Sequence, residues 1–238
     1  MKSRSNLSVV YHDNHLLVVN KPAGLLSQAD ETGDIDLLTL AKSWVKDTYQ
    51  KPGQVYLGLV HRLDRPASGL MVLARTSKAA ARLTRQFQAR TPHKRYWALL
   101  QGRLDGAGRW EDYLIKSGRV VSVVSQKNPK AKYAALRWRA LAYHKDTTLV
   151  AVELETGRPH QIRVQFASRG FPLLGDLRYR ATRRFDGENL ALHCFQLGLE
   201  HPTRREPMRW EQDAPATWSD WFAEVRAAVL RDSSEEHG

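Results

Sequence analysis

Short apolar runs of strand length recur along this chain and outnumber the stretches with helical spacing. Residues 7–11 and 15–20 flank His12-Asp13-Asn14 and predict a β-hairpin. Further strands are predicted over 70–74, 96–100, 120–124, 133–143, 149–154 and 190–199. Asp36 is placed to cap a helix carrying Leu37, Leu40, Ala41, Trp44, Val45 and Thr48 on one face. A second helix starts at Ser77, with Ala80, Leu83 and Phe87 inward and Lys78, Arg82 and Arg85 outward. A short helix is expected over 158–169, ending at Gly170. Thr217-Trp218-Ser219-Asp220 reads as a capping box for a last helix to residue 230. Helices are interspersed among strands without strict alternation. The expected class is therefore α+β, with a mixed, largely antiparallel sheet flanked by helices and loops. Without repeats or a long linker, one domain over 1–230 is the simplest organisation, with 231–238 as a disordered tail.

One stretch carries chemistry as well as structure. His61-Arg62-Leu63-Asp64 runs into Arg65-Pro66-Ala67-Ser68-Gly69-Leu70 and sets one carboxylate between two arginines. Apolar residues precede it (Val55, Leu57, Leu59, Val60) and a strand-like run follows. Pro66 and Gly69 break regular structure between the two. A carboxylate on such a turn is held rigidly and still faces a cleft. The flanking guanidinium groups favour its charged form and offer a grip for a polyanion.

The charge balance points the same way. Lys and Arg total 37 against 25 Asp and Glu, a net charge of +12, which suits a nucleic-acid partner. No apolar run approaches bilayer length, and the N-terminus lacks the apolar stretch of a secretory signal. Cys194 is the only cysteine, which excludes an intrachain disulfide and fits a reducing, cytoplasmic setting. One Cys and nine scattered His show no zinc-ligand spacing, and no metal is expected. Gly-x-Ser-x-Gly and P-loop strings are absent.

Taken in order, several motifs resemble those of the RluA family of pseudouridine synthases. Besides His-Arg-Leu-Asp at 61–64, they are Val18-Val19-Asn20-Lys21-Pro22-Ala23-Gly24, Lys94-Arg95-Tyr96-Trp97-Ala98-Leu99 and Thr156-Gly157-Arg158-Pro159-His160-Gln161-Ile162-Arg163. Leu173-Leu174-Gly175-Asp176, Leu192-His193 and His201-Pro202 also fit, and the set spans about residues 9–212. The resemblance implies a pseudouridine-synthase-like catalytic domain that isomerises uridines in structured rRNA or tRNA. It implies no cofactor, and a monomer is expected. The catalytic pattern begins near residue 9, so no separate N-terminal RNA-binding module is expected.

By the same resemblance Asp64 is the catalytic carboxylate, acting as nucleophile or as base. Arg163 pairs with it. Tyr96 stacks on the target base and moves a proton. Arg62 fills the gap left by an extruded nucleotide. Ile162 walls the uracil pocket and Lys21 shapes the cleft rim. Arg65, Arg158, His160 and the run Arg178-Tyr179-Arg180-Ala181-Thr182-Arg183-Arg184 are candidates for phosphate contacts. Ala67 stands where many family members have Thr, which alters a turn hydroxyl and leaves the charged residues in place. Two other functions compete: a non-catalytic RNA-binding or ribosome-assembly protein on the same fold, and a glycoside hydrolase pairing Asp64 with Asp176 or Glu153.

Overall fold

A computed structural model describes residues 7–221. In chain order the elements are β1 (Ser8–His12), β2 (Leu16–Lys21), α1 (Leu37–Thr48), β3 (Gly58–Leu59), β4 (Ser68–Ala74), α2 (Ser77–Ala89), β5 (His93–Gln101), β6 (Ala107–Ser117), β7 (Val120–Val124), β8 (Lys132–His144), β9 (Thr147–Leu154), α3 (Gln161–Ala167), β10 (Leu192–Glu200) and β11 (Pro207–Glu211). The fold is α+β, the class expected from the pattern of runs. The chain forms two compact units. The first joins the described residues up to Lys94 with Gln196–Gln212; the second joins Arg95–Phe195 with the described residues from Asp213 onward.

In the first unit β1 and β2 make the expected antiparallel hairpin. β2 also pairs antiparallel with β4, opposing Leu17 to Leu73 and Val19 to Met71, while β3 pairs with β4 through Leu59 and Leu73. β4 is buried at every position and β2 at all but Asn20, which explains their unbroken apolar sequence. Asp36 caps α1, accepting the Thr39 N–H at 3.1 Å, and the helix buries Leu37, Ala41 and Val45. α2 starts at Ser77 as expected, and Thr76 caps it by accepting the Ala79 N–H. A Cβ on Gly58 would lie 2.8 Å from the Ala80 Cβ, so only glycine admits α2 this close to β3. Buried His201 ties the β10–β11 turn to the N-terminal hairpin. Its Nδ1 accepts the Thr203 and Arg204 N–H groups, so Nε2 carries the proton donated to Asp13 at 2.9 Å.

In the second unit β9 lies between β5 and β8, and β6 lies between β8 and β7, all antiparallel. Trp97 and Phe195 stack at 4.2 Å in a core with Leu99, Leu149, Ala151 and Trp218. Val164 of α3 packs with Leu114, Val121, Ala134 and Tyr179. Strand β6 is a finding without a sequence forecast. Gly108, Glu111 and Asp112 disfavour a strand by composition, but cross-strand partners decide. Arg109 pairs with Glu111 and Glu155, and Arg169 with Asp112, at 2.7 to 2.9 Å. β11 was likewise not foreseen. Helix α3 is shorter than the 158–169 expectation; at its start Thr156 and Arg158 bond to β8 instead. The predicted last helix opens, in the described residues, as the 3-10 turn Ala216–Trp221. Its continuation and the 231–238 tail lie outside the described residues.

Candidate active site

Asp64 sits on the connection between β3 and β4, part-exposed, with its carbonyl accepting the Ala67 N–H at 3.1 Å to close a tight turn. The approach to that turn is pinned twice. Ser27 Oγ donates to the Leu63 carbonyl at 2.7 Å and accepts the Leu63 N–H at 3.3 Å, with Leu63 itself buried. His61 accepts the Val72 N–H on Nε2 at 2.9 Å and stacks on Phe87 at 4.7 Å. Burial, with the Lys94 charge adding to it, pushes the His61 pKa down to about 3, so this imidazole is a neutral acceptor.

Lys21 lies beneath the same turn and is 0% exposed. Its Nζ donates to the Pro22, Leu25 and Arg65 carbonyls at 3.0, 2.8 and 3.1 Å. A neutral amine supplies only two donors, so three carbonyl acceptors call for the ammonium. Burial pushes its pKa down to about 7, the Asp64 charge beside it opposes that, and Arg65 adds to it. Lys21 thus fastens residues 22–25 to the Asp64 turn; it is a buried tie and not a rim residue. Arg65 strengthens the join. Its N–H groups reach the Gly24 carbonyl at 3.0 Å and the Asp34 carboxylate at 2.8 Å, while its own carbonyl accepts the Gly24 N–H. Arg62 is exposed.

The second unit holds the other predicted residues. Tyr96 is buried in β5 opposite Val152 of β9. Thr156 Oγ1 accepts the Ala135 N–H and donates to Gln161 Oε1 at 2.7 Å, and Gln161 Nε2 donates to the Ala135 carbonyl. This lock fixes the start of α3 and therefore the buried Ile162 and Arg163. Arg163 forms a dry, two-pronged ion pair with Asp176. Nε meets Oδ2 at 2.6 Å and Nη2 meets Oδ1 at 2.8 Å, with both side chains at or below 5% exposure.

Arg158 and His160, expected at phosphates, have partners inside this unit. Arg158 Nε donates to the Tyr133 carbonyl at 2.9 Å, and His160 Nδ1 lies 2.8 Å from the Tyr179 hydroxyl. Arg178, Arg180, Arg183 and Arg184 are exposed, as phosphate contacts require. Asp176, considered as a second acid for glycoside hydrolysis, has both oxygens on Arg163, which leaves neither placed to protonate a leaving group. Sequence reasoning missed Ser27 and His61 as fixtures of the Asp64 turn, and Tyr179 as a fixture beside Arg163. Only a motif position, never a spacing rule, marked Asp176. Among the described residues no group of three His, Cys, Asp or Glu is arranged to hold a metal ion.

Comparison with known proteins adds an independent line. Residues 15–168 match the family model described as RNA pseudouridylate synthase. A Pseudomonas aeruginosa protein named ribosomal large subunit pseudouridine synthase D is 35% identical over 228 residues, covering 88% of this chain and 68% of its own. A Vibrio cholerae protein named ribosomal large subunit pseudouridine synthase C is 33% identical over 230 residues, covering 92% and 70%. The solved structure of human RNA pseudouridylate synthase domain containing 4 superposes with a TM-score of 0.76 at 23% identity, over 92% of this chain and 93% of that one.

Proposed function

This chain belongs to the RNA pseudouridylate synthase family, an isomerase family acting on RNA, and we propose that it converts uridines of large-subunit ribosomal RNA to pseudouridine with Asp64 as the catalytic carboxylate. The reaction breaks the C1′–N1 bond of uridine, turns the base, forms a C1′–C5 bond and moves the C5 proton. It consumes no cofactor. Asp64 acts at the sugar–base junction, by attack on carbon or by taking a sugar proton. The observation that carries this reading is the setting of Asp64: one part-exposed carboxylate on a turn fastened from below by a buried ammonium. Such fixing holds the reacting group in place before substrate arrives.

The remaining roles are those that the family resemblance implies, each compatible with the side chain's chemistry. Arg163 supplies the guanidinium of its motif, and Tyr96 offers a ring for stacking and a hydroxyl for the C5 proton. Ile162 supplies an apolar wall for uracil. Exposed Arg62 replaces the extruded base by stacking its guanidinium plane in the gap. The exposed arginines at 178, 180, 183 and 184 hold the RNA backbone. Ribosomal RNA as substrate assigns the enzyme to the compartment of ribosome assembly, the cytoplasm in a bacterium. No described helix is long and apolar enough to cross a membrane.

The test offers the purified protein large-subunit ribosomal RNA and transfer RNA in parallel and maps pseudouridine chemically. New pseudouridine in the ribosomal RNA is expected. Product in transfer RNA alone overturns the substrate, and binding without product in either supports the non-catalytic alternative.

A further inference from the structure

Two residues in the second unit have no part in the reaction as derived above, yet their contacts converge on Arg163. Asp176 occupies the Nε–Nη2 edge of its guanidinium with both oxygens. Tyr179 places its ring centroid 5.1 Å from the guanidinium carbon. The Tyr179 hydroxyl is held in turn, accepting the Val121 N–H at 3.0 Å and meeting His160 Nδ1 at 2.8 Å. His160 reaches that hydroxyl from a left-handed backbone, φ 51°, a conformation costly for a residue with a side chain.

The loop presenting Asp176 and Tyr179 is equally constrained. The Asp176 carbonyl accepts N–H groups from Tyr179 and Ala181 at 2.9 and 3.1 Å. Gly175 has φ +84°, and a Cβ there would stand 2.1 Å from the Asn189 carbonyl oxygen. Neutralising a buried arginine requires only a nearby negative charge. This arrangement does more. The fork fixes rotation in the guanidinium plane, and the ring limits its tilt.

We propose that Asp176 and Tyr179 are positioning residues for pseudouridine formation, holding the Arg163 guanidinium in a single orientation, with its in-plane rotation and its tilt both fixed. The proposal rests on the role given to Arg163 above. Each acts only through Arg163, so their effects vanish once the planar fork is gone.

The experiment compares Asp176→Asn and Tyr179→Phe, each alone and combined with Arg163→Lys, which keeps a cation for Asp176 but removes the fork. Single-turnover rate, RNA dissociation constant and thermal melting are measured on ribosomal RNA. A guanidinium displaced by about an ångström loses on the order of 100-fold in rate, the expectation for Asp176→Asn. Loss of a supporting hydrogen bond costs about 10-fold, the expectation for Tyr179→Phe. RNA affinity is expected to be unchanged, and neither substitution lowers the rate further beside Arg163→Lys. If Asp176→Asn does not fold, Tyr179→Phe decides. A Tyr179→Phe protein at the wild-type rate, or equal losses in both backgrounds, overturns the proposal while leaving Arg163 its role. An Arg163→Lys protein at full rate removes that role itself, and the proposal with it.

Discussion

Lys21 in the first unit and Arg163 in the second are both buried cations, and the protein satisfies them in opposite ways. Lys21 has three main-chain carbonyls around its ammonium. Arg163 grips the Asp176 carboxylate along an edge. A carbonyl cage ties chain segments to one another, since its carbonyls come from two stretches of backbone, residues 22–25 and the Asp64 turn. A carboxylate fork instead fixes the direction of the cation itself. The first unit therefore uses its cation to hold a turn that carries a part-exposed carboxylate. The second uses buried residues to aim a side chain. On the roles proposed above, the Asp64 charge contributes to chemistry with little effect on stability, whereas the Arg163 charge contributes to both.

The largest expected effect tests the first half of that contrast. Asp64→Asn should reduce single-turnover isomerisation by several orders of magnitude. Its melting temperature should stay near that of the wild type, because the side chain is part-exposed. Substantial turnover by the folded variant would end the assignment of Asp64.

Arg163→Met should lose activity and stability together. The motif alone gives no reason for a large stability loss; the fork does, because Asp176 would be left buried and uncompensated. Breaking such a pair costs about 3–5 kcal/mol. A variant that melts like the wild type would erase the distinction between the two cations.

Lys21→Met should cost less. It strands neutral carbonyls and no buried charge, and the Arg65 carbonyl keeps the Gly24 N–H, so the loss is about 1–3 kcal/mol. The rate should fall as the Asp64 turn loosens, with Asp64 still present. Denaturant melts beside single-turnover rates check this, and an unaltered rate would reduce Lys21 to packing.

Acid sharpens the comparison most gently. His61 has a folded pKa of about 3 against an ordinary 6.5, so the unfolded chain binds its proton first as pH falls. Its destabilising effect therefore grows between pH 6.5 and 3. Burial raises the Asp13 pKa, but hydrogen bonds from His15, Leu16, Tyr11 and His201 outweigh it and bring it to about 2. That contribution is complete above 3.8 and is lost as pH falls towards 2. Both groups lie in the first unit, so amide exchange should report opening there first as pH drops. Earlier opening around β6 and β8 would contradict this.

The elements legible in the sequence were those with local causes. Asp36 caps α1 because a carboxylate at that position reaches the Thr39 N–H whatever surrounds it. β2 and β4 show as apolar runs because both faces are covered. β6 was not legible, since its charged residues are stabilised by β8, Glu155 and Arg169, up to 57 residues away in sequence.

The candidate site divides along the same line. The sequence by itself determined the α+β class, the basic character and, through ordered motifs, the family, and it put Asp64 forward as the proposed catalytic carboxylate. Only the tertiary structure decided that Lys21 is a caged tie instead of a rim residue, that Arg65 and Arg158 bond within their own units, and that Asp176 and Tyr179 grip Arg163. The physical reason is that a motif records which groups are present, whereas a hydrogen-bond partner is set by burial. Once water is excluded, each buried donor must find the nearest acceptor in space, and for Lys21 one of these is the Arg65 carbonyl, 44 residues away along the chain.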